Sequence, residues 1–310
     1  MNTTPLLKYS QLSELWSEVG LNHKNYNPSI TIYDNIYVTI SDNTLRKFDF
    51  FGYSETIGMT QSKVLVDDRG PWFIQNNHLC NDSLRHEIPS TPIFTVDNNN
   101  IYATCYFSEE LTSITKHDIN EKLAKSKLVP NIKNCTIMRD SLFVFGENYI
   151  TVFDGNLSEM ASFEINQYRD TIIHHKMYVI SEEPNKTSVR CFGSPIKMDW
   201  LLEVAGNYLS CDFTDNFLVI STNEGTECFN SQLEKKWKQP KANCVKCFND
   251  ETDHVIIARE NELSITELET GIICWKKSLD FPICELEASK DGVVVCAFAG
   301  GGVHYFGDYS

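Results

Sequence analysis

The stretch ETDHVIIARENELSITELETGIICWKK (residues 251–277) holds three short runs separated by two polar turns. The first, Val255-Ile256-Ile257, is β-branched throughout and follows Asp253, a residue suited to the tight turn before a strand. The second alternates polar and apolar side chains around Leu263 and Ile265, the two-residue period of a strand. The third carries Trp275.

The same order recurs along the chain. A turn signal followed by a β-branched or aromatic run appears in YDNIYV, DDRGPWFI, DNNNIYA, RDSLFV, HHKMYV, TDNFLV, ETDHVII and KDGVVV. Their middle residues, Tyr37, Phe73, Tyr102, Phe143, Tyr178, Leu218, Ile256 and Val294, are spaced by 29 to 41 residues, a period that suits propeller blades rather than helical solenoids. Third runs with tryptophan recur in DWLLEV (Trp200), KKWKQP (Trp237) and CWKKSL (Trp275). Each unit thus supplies three or four antiparallel strands. Helical periodicity is nearly absent: its best candidate, INEKLAKSKLV (residues 119–129), is short and has no apolar partner stripe, and residues 116–133 are expected to be an insertion.

This pattern resembles the β-propeller superfamily, in its WD-repeat and quinoprotein-like branches, over nearly the whole chain. The Gly-His and Trp-Asp pairs of WD repeats are missing, so the resemblance reaches no subfamily. The fold it implies is all-β: a single closed propeller spanning residues 1–310, with eight blades and seven as the alternative. The last unit ends after its third strand at Tyr305-Phe306, whereas ELWSEVG (residues 14–20) resembles the tryptophan strands, with Trp16 in the matching place. Residues 12–20 are therefore expected to complete the last blade, which covers an edge that would otherwise be exposed.

A formal charge of −15 argues against a general nucleic-acid binder and suits a partner with a basic segment. No secretory signal and no run long enough to span a membrane is visible, and the 11 cysteines sit in strand-like surroundings. They read as reduced core residues of a cytoplasmic or nuclear protein, with no membrane insertion expected.

Chemistry-bearing motifs are sparse. Gly300, Gly301 and Gly302 lead into a strand rather than a helix, and they read as a turn instead of a phosphate cradle. Cys244 and Cys247 have zinc-like spacing, yet no second pair exists, and strand alternation would turn them to opposite faces. No catalytic residue, cofactor or metal site is assigned.

The turns between second and third strands carry Asp42, Glu109, Glu110, Glu147, Glu182, Glu183, Glu224, Glu260 and Glu262. Glutamate is not a favoured turn former, so these residues are read as an acidic face for a basic protein segment. Two basic stretches oppose that reading: Lys122, Lys125 and Lys127, and then Lys235, Lys236 and Lys238 around Trp237. Lysines around an aromatic side chain could touch RNA, although Trp237 occupies the repeated tryptophan position and is expected to pack between blades. The reading is a non-catalytic adaptor, monomeric as a propeller within an intracellular hetero-complex. The alternatives are an accessory subunit of a nucleic-acid-modifying or RNA-binding assembly and a propeller hydrolase using channel carboxylates.

Overall fold

The structure is a computed structural model of the 310-residue chain. It describes residues 13–18, 29–32, 35–39, 44–49, 53–60, 64–67, 69–76, 78–81, 84–87, 93–97, 100–106, 108, 110–118, 124–173, 175–194, 197–248, 253–288, 294–298 and 303–307. The turn at Gly300–Gly302 lies outside the described residues.

Every described element is a strand. After β1 (Ser13–Glu18) the chain forms a sheet of β2 (Ser29–Ile32), β3 (Ile36–Thr39), β4 (Thr44–Phe48) and β5 (Ser54–Met59). The next sheet holds β6 (Leu65–Asp67), β7 (Gly70–Gln75), β8 (His78–Asn81) and β9 (Leu84–Glu87). It is followed by β10 (Phe94–Val96), β11 (Asn100–Tyr106), β12 (Leu111–Asp118) and β13 (Ala124–Pro130). The fourth comprises β14 (Ile132–Met138), β15 (Ser141–Gly146), β16 (Tyr149–Phe153) and β17 (Glu159–Glu164). The fifth comprises β18 (Gln167–Ile173), β19 (Met177–Glu183), β20 (Lys186–Ser194) and β21 (Lys197–Ala205). Then come β22 (Tyr208–Phe213), β23 (Phe217–Thr222), β24 (Gly225–Asn230) and β25 (Lys235–Gln239). The seventh holds β26 (Cys244–Cys247), β27 (His254–Arg259), β28 (Glu262–Glu267) and β29 (Ile273–Ser278). The chain closes with β30 (Ile283–Ala288), β31 (Val294–Phe298) and β32 (Val303–Gly307).

That last group has β1 as its fourth strand, antiparallel to β32, with Trp16 opposite Tyr305 and Glu18 opposite Val303. The described residues therefore make eight four-stranded sheets, each antiparallel throughout. They belong to two compact units, one of Met1–Thr60 with Tyr208–Ser310 and one of Gln61–Asn207.

Within each unit the core lies between successive sheets. In the first unit, Val255 and Ile257 of β27 pack with Val219, Cys228 and Trp237 of the preceding sheet. Ile256 and Ala258 of the same strand pack with Leu286 and Phe306 of the following one. Both faces of the strand are buried, which is why HVIIA reads as a continuous apolar run rather than an alternating one. Ile30, Val38 and Phe48 likewise meet Val303 and Tyr305. In the second unit, Trp72 and Leu79 meet Phe94 and Ile101, while Phe143, Phe145 and Val152 meet Met177, Val179 and Phe192.

Of the segment 116–133, expected to be an insertion, the described residues lie in β12, β13 and the start of β14. β12 runs to Asp118, and β13 supplies the outer strand of the third sheet, with Lys125 opposite Lys116 and Lys127 opposite Ile114. The Ala, Lys and Leu content that favours a helix is overridden because β12 needs a fourth-strand partner. The short 29-residue spacing after Phe73 is met by short strands: β8 and β9 have four residues each and β10 has three.

Candidate protein-binding face

In a sheet whose four strands pair in sequence order, the second-to-third turn lies at the same end as the link leading to the next sheet. Hydrogen bonds tie the two together. Tyr168 N–H donates to Glu147 O at 2.7 Å and Ile165 N–H to Asn148 O at 3.0 Å. Gly206 N–H reaches Asn185 O at 2.8 Å, Leu279 N–H reaches Asn261 O at 2.8 Å, and Ile283 N–H reaches Glu260 O at 2.6 Å. These turns have two residues between strands, and Asn185 and Glu260 sit at positive φ of 61° and 52°. Such turns match the twist of the flanking strands, and the anchored backbone leaves the side chains to project from the sheet end.

Four of the nine candidate acids are exposed in turns: Glu110, Glu147, Glu224 and Glu260. Three lie inside strands because the turns are so short. Glu182 of β19 is buried and takes Arg169 Nε at 2.6 Å. Glu183 faces Lys186 Nζ at 3.1 Å and accepts from Asn166 Nδ2, and Glu262 of β28 meets Lys276 Nζ at 2.5 Å. Their charges are held internally. Asp42 and Glu109 lie outside the described residues.

The basic candidates behave differently. Lys235 and Lys238 both reach Glu227, at 2.7 and 3.0 Å. Glu227 is only 5% exposed, and although burial alone would raise its carboxyl, the two ammonium groups hold it below the usual value. Lys236 pairs with Glu269. Trp237 is buried between sheets and donates Nε1–H to Leu268 O at 2.7 Å, so its ring is not offered to a base. Lys125 donates to Asn156 Oδ1 at 2.9 Å, Lys127 is exposed, and Lys122 lies outside the described residues.

Among the described residues no group of three or more His, Cys, Asp or Glu side chains is placed to hold a metal ion. Cys244 packs with the cluster around Phe306, and Cys247 with the one around Trp237, so they face opposite ways as strand alternation requires. Nor is any helix there long and apolar enough to cross a membrane.

One feature left no mark in the sequence. Four first strands carry a one-residue bulge near their start, where Lys133, Arg169, Leu209 and Cys284 are the extra residues in β14, β18, β22 and β30. Asn243 just ahead of β26 is the counterpart, since its N–H shares Ala258 with Cys244. A bulge re-aims the extra side chain at the sheet end. Lys133 turns toward Glu147 at 3.8 Å, and Arg169 toward Glu182. Beyond the bulges of β14, β18 and β22, side-chain oxygens satisfy first-strand N–H groups that have no fifth strand to bond. Asn134 serves Cys135 and Asp170 serves Thr171, while Ser210 and Asp212 of β22 serve Val245 and Cys247 of β26. Burial pushes the Asp212 carboxyl up to about 6, partly offset by Lys246.

No family model and no curated protein sequence matches the chain. Solved structures do. It is similar to BamB from Moraxella catarrhalis, at TM-score 0.68 and 11% identity over 96% of this chain and 98% of that one. The computationally designed Ika8 protein follows at 0.65 and 12%, over 95% and 99%. The WD40 domain of Pan2 from Neurospora crassa gives 0.59 and 11%, over 96% of each. At such identities the likeness speaks for the fold alone, and that fold is a β-propeller. The chain has the fold of the β-propellers, and no subfamily is assigned.

Proposed function

We propose that this chain is a non-catalytic scaffold of a cytoplasmic or nuclear multi-subunit complex, holding a basic segment of a protein partner on its second-to-third turns. The observation that carries this reading is exposed glutamate on second-to-third turns within each unit, Glu110 and Glu147 in one and Glu224 and Glu260 in the other, with the turns of Glu147 and Glu260 anchored through their backbones. A rigid backbone under exposed like charges favours steering and specificity for a segment of opposite charge. The WD40 domain likeness agrees with an interaction role but does not specify a partner. The lysines of β25 spend their charge on Glu227 and Glu269, which weakens the RNA-binding alternative.

In this reading the chain is a β-propeller, read as eight-bladed with seven blades as the alternative, and blades counted in an electron-microscopy projection decide between the two. The functional test is charge reversal of Glu110, Glu147, Glu224 and Glu260 to Lys, followed by quantitative cross-linking to partners in the native complex. Loss of cross-links with an unchanged melting temperature supports the reading. Undiminished cross-linking removes it.

A further inference from the structure

The bulged residues divide by unit. In Gln61–Asn207 they are the cations Lys133 and Arg169, each turned onto an acid of its own sheet. In the unit containing Tyr208–Ser310 the same place holds Leu209, Asn243 and Cys284. None of these can neutralise an acid, and Glu224 and Glu260 stand exposed at the ends of their sheets. Leu209 is 43% exposed on a first strand, an apolar side chain where the other unit places a charge. Phe281, in the link from β29 to β30, is 52% exposed beside the exposed Asp280.

These residues form one strip. Val245 N–H bonds Ser210 Oγ and joins β22 to β26, and Cys244 Sγ contacts Cys284 O at 3.7 Å and joins β26 to β30. Ile283 N–H fixes the link that carries Phe281 to the Glu260 turn. The three bulges therefore stand at the same end of three adjacent strands, with apolar side chains at both edges of the strip and carboxylates along it.

Resting on the scaffold reading, we propose that this strip of Leu209, Asn243, Cys284 and Phe281, flanked by Glu224, Glu260 and Asp280, docks an extended partner segment with both apolar and basic side chains. The exposed leucine and phenylalanine supply the anchors, and the carboxylates select the positive charge. A nucleic-acid strand is disfavoured by the same carboxylates, and a purely polycationic segment would leave both anchors uncovered.

The test uses the full chain and four pools of fluorescein-labelled nonapeptides: basic with apolar, basic with polar, acidic with apolar, and neutral polar. Anisotropy should show the basic–apolar pool bound about tenfold more tightly than any other. The double variant Leu209→Ser/Phe281→Ser should weaken it by about tenfold, and Glu224→Lys/Glu260→Lys by at least as much at low salt. Glu159→Lys, at an exposed acid of β17 in the other unit and outside the turns, should leave it unchanged. Equal binding of both basic pools, or unaltered binding to the serine variant, overturns the strip while the scaffold reading stands. Failure of both basic pools to bind overturns both. The serine substitutions are at exposed positions, and matching melting temperatures separate loss of docking from loss of fold.

Discussion

The indole Nε1 of Trp237 on β25 donates to the carbonyl oxygen of Leu268 at 2.7 Å, across the gap between two successive sheets. Leu268 opens the turn that ends at Gly271, where Gln239 Nε2 holds the Gly271 carbonyl at 2.8 Å. A Cβ on Gly271 would lie 2.7 Å from Trp237 Cγ, and the residue sits at φ +75°. The indole, the turn and the glycine thus form one clamp. Trp237→Phe keeps much of the packing but leaves Leu268 O with only the weak Cys228 Sγ–H donor at 3.5 Å, a loss of about 1–2 kcal/mol. Trp237→Ala should cost about 3–5 kcal/mol. Gly271→Ala should destabilise by about 1–2 kcal/mol from backbone conformation alone, before the clash is counted. Urea unfolding measures all three, and a silent Gly271→Ala would show that the turn is not held against the indole.

Trp237 also marks how much of the fold could be read in the sequence. Its recurrence as a tryptophan strand and its inter-sheet packing were legible because repeats leave a period, and strands buried on both faces leave apolar runs. The strand pairing of β1 with β32 was legible for the same reason, since ELWSEV matches DWLLEV. The bulges were not, because Lys133, Arg169, Leu209 and Cys284 share no residue type and the extra residue is defined only by its partner strand. Glu182 shows the converse failure. Its place beside a turn was visible, but its burial against Arg169 depends on the bulge that aims that guanidinium.

Asp212 gives a pH dependence with a definite sign. Its carboxyl goes from an ordinary 3.8 to about 6, chiefly through desolvation, so the folded state holds a proton that the unfolded state releases between those values. Its contribution is fully present below pH 4 and is lost as pH rises through 6. A shift of this size corresponds to about 2–3 kcal/mol. Asp212→Asn keeps an acceptor for Cys247 N–H and removes the titration. Relative to wild type, the variant should therefore gain stability from pH 4 to about pH 6 in thermal melts and hold that gain at higher pH. A difference that does not change with pH would mean the carboxylate is not desolvated. Lys246 stands near it, pairs with Glu287 at 3.3 Å and lowers the Asp212 value, so Lys246→Met should extend the pH-dependent window upward.

Glu227 titrates in the opposite sense. Despite its burial, Lys235 and Lys238 hold its carboxyl below the usual value, so its stabilisation is present at neutral pH and lost as pH falls through the folded value. Both lysine side chains are about half exposed, which limits the gain. Glu227→Gln should cost about 1–2 kcal/mol at pH 7 and almost nothing at pH 3. Urea midpoints at the two pH values report it. An equal cost at both would assign Glu227 a packing role alone.

β1 is far in sequence from the strand it pairs with, and this makes its contribution separable. Residues 13–18 bond β32 along its length, from Ser13 opposite Gly307 to Glu18 opposite Val303, and the buried Val303, Tyr305 and Phe306 lie on that partner strand. Without β1, the outer hydrogen-bonding groups of β32 face solvent, and an unpaired edge is also a template for aggregation. Removing residues 1–20 should therefore lower the melting temperature by on the order of 10 °C and raise concentration-dependent association. A peptide spanning residues 10–22, added in trans, should restore part of the loss, because the pairing it replaces is a backbone ladder. A truncated chain that melts with the full-length protein would show that β32 holds its place through β31 and the adjoining core alone.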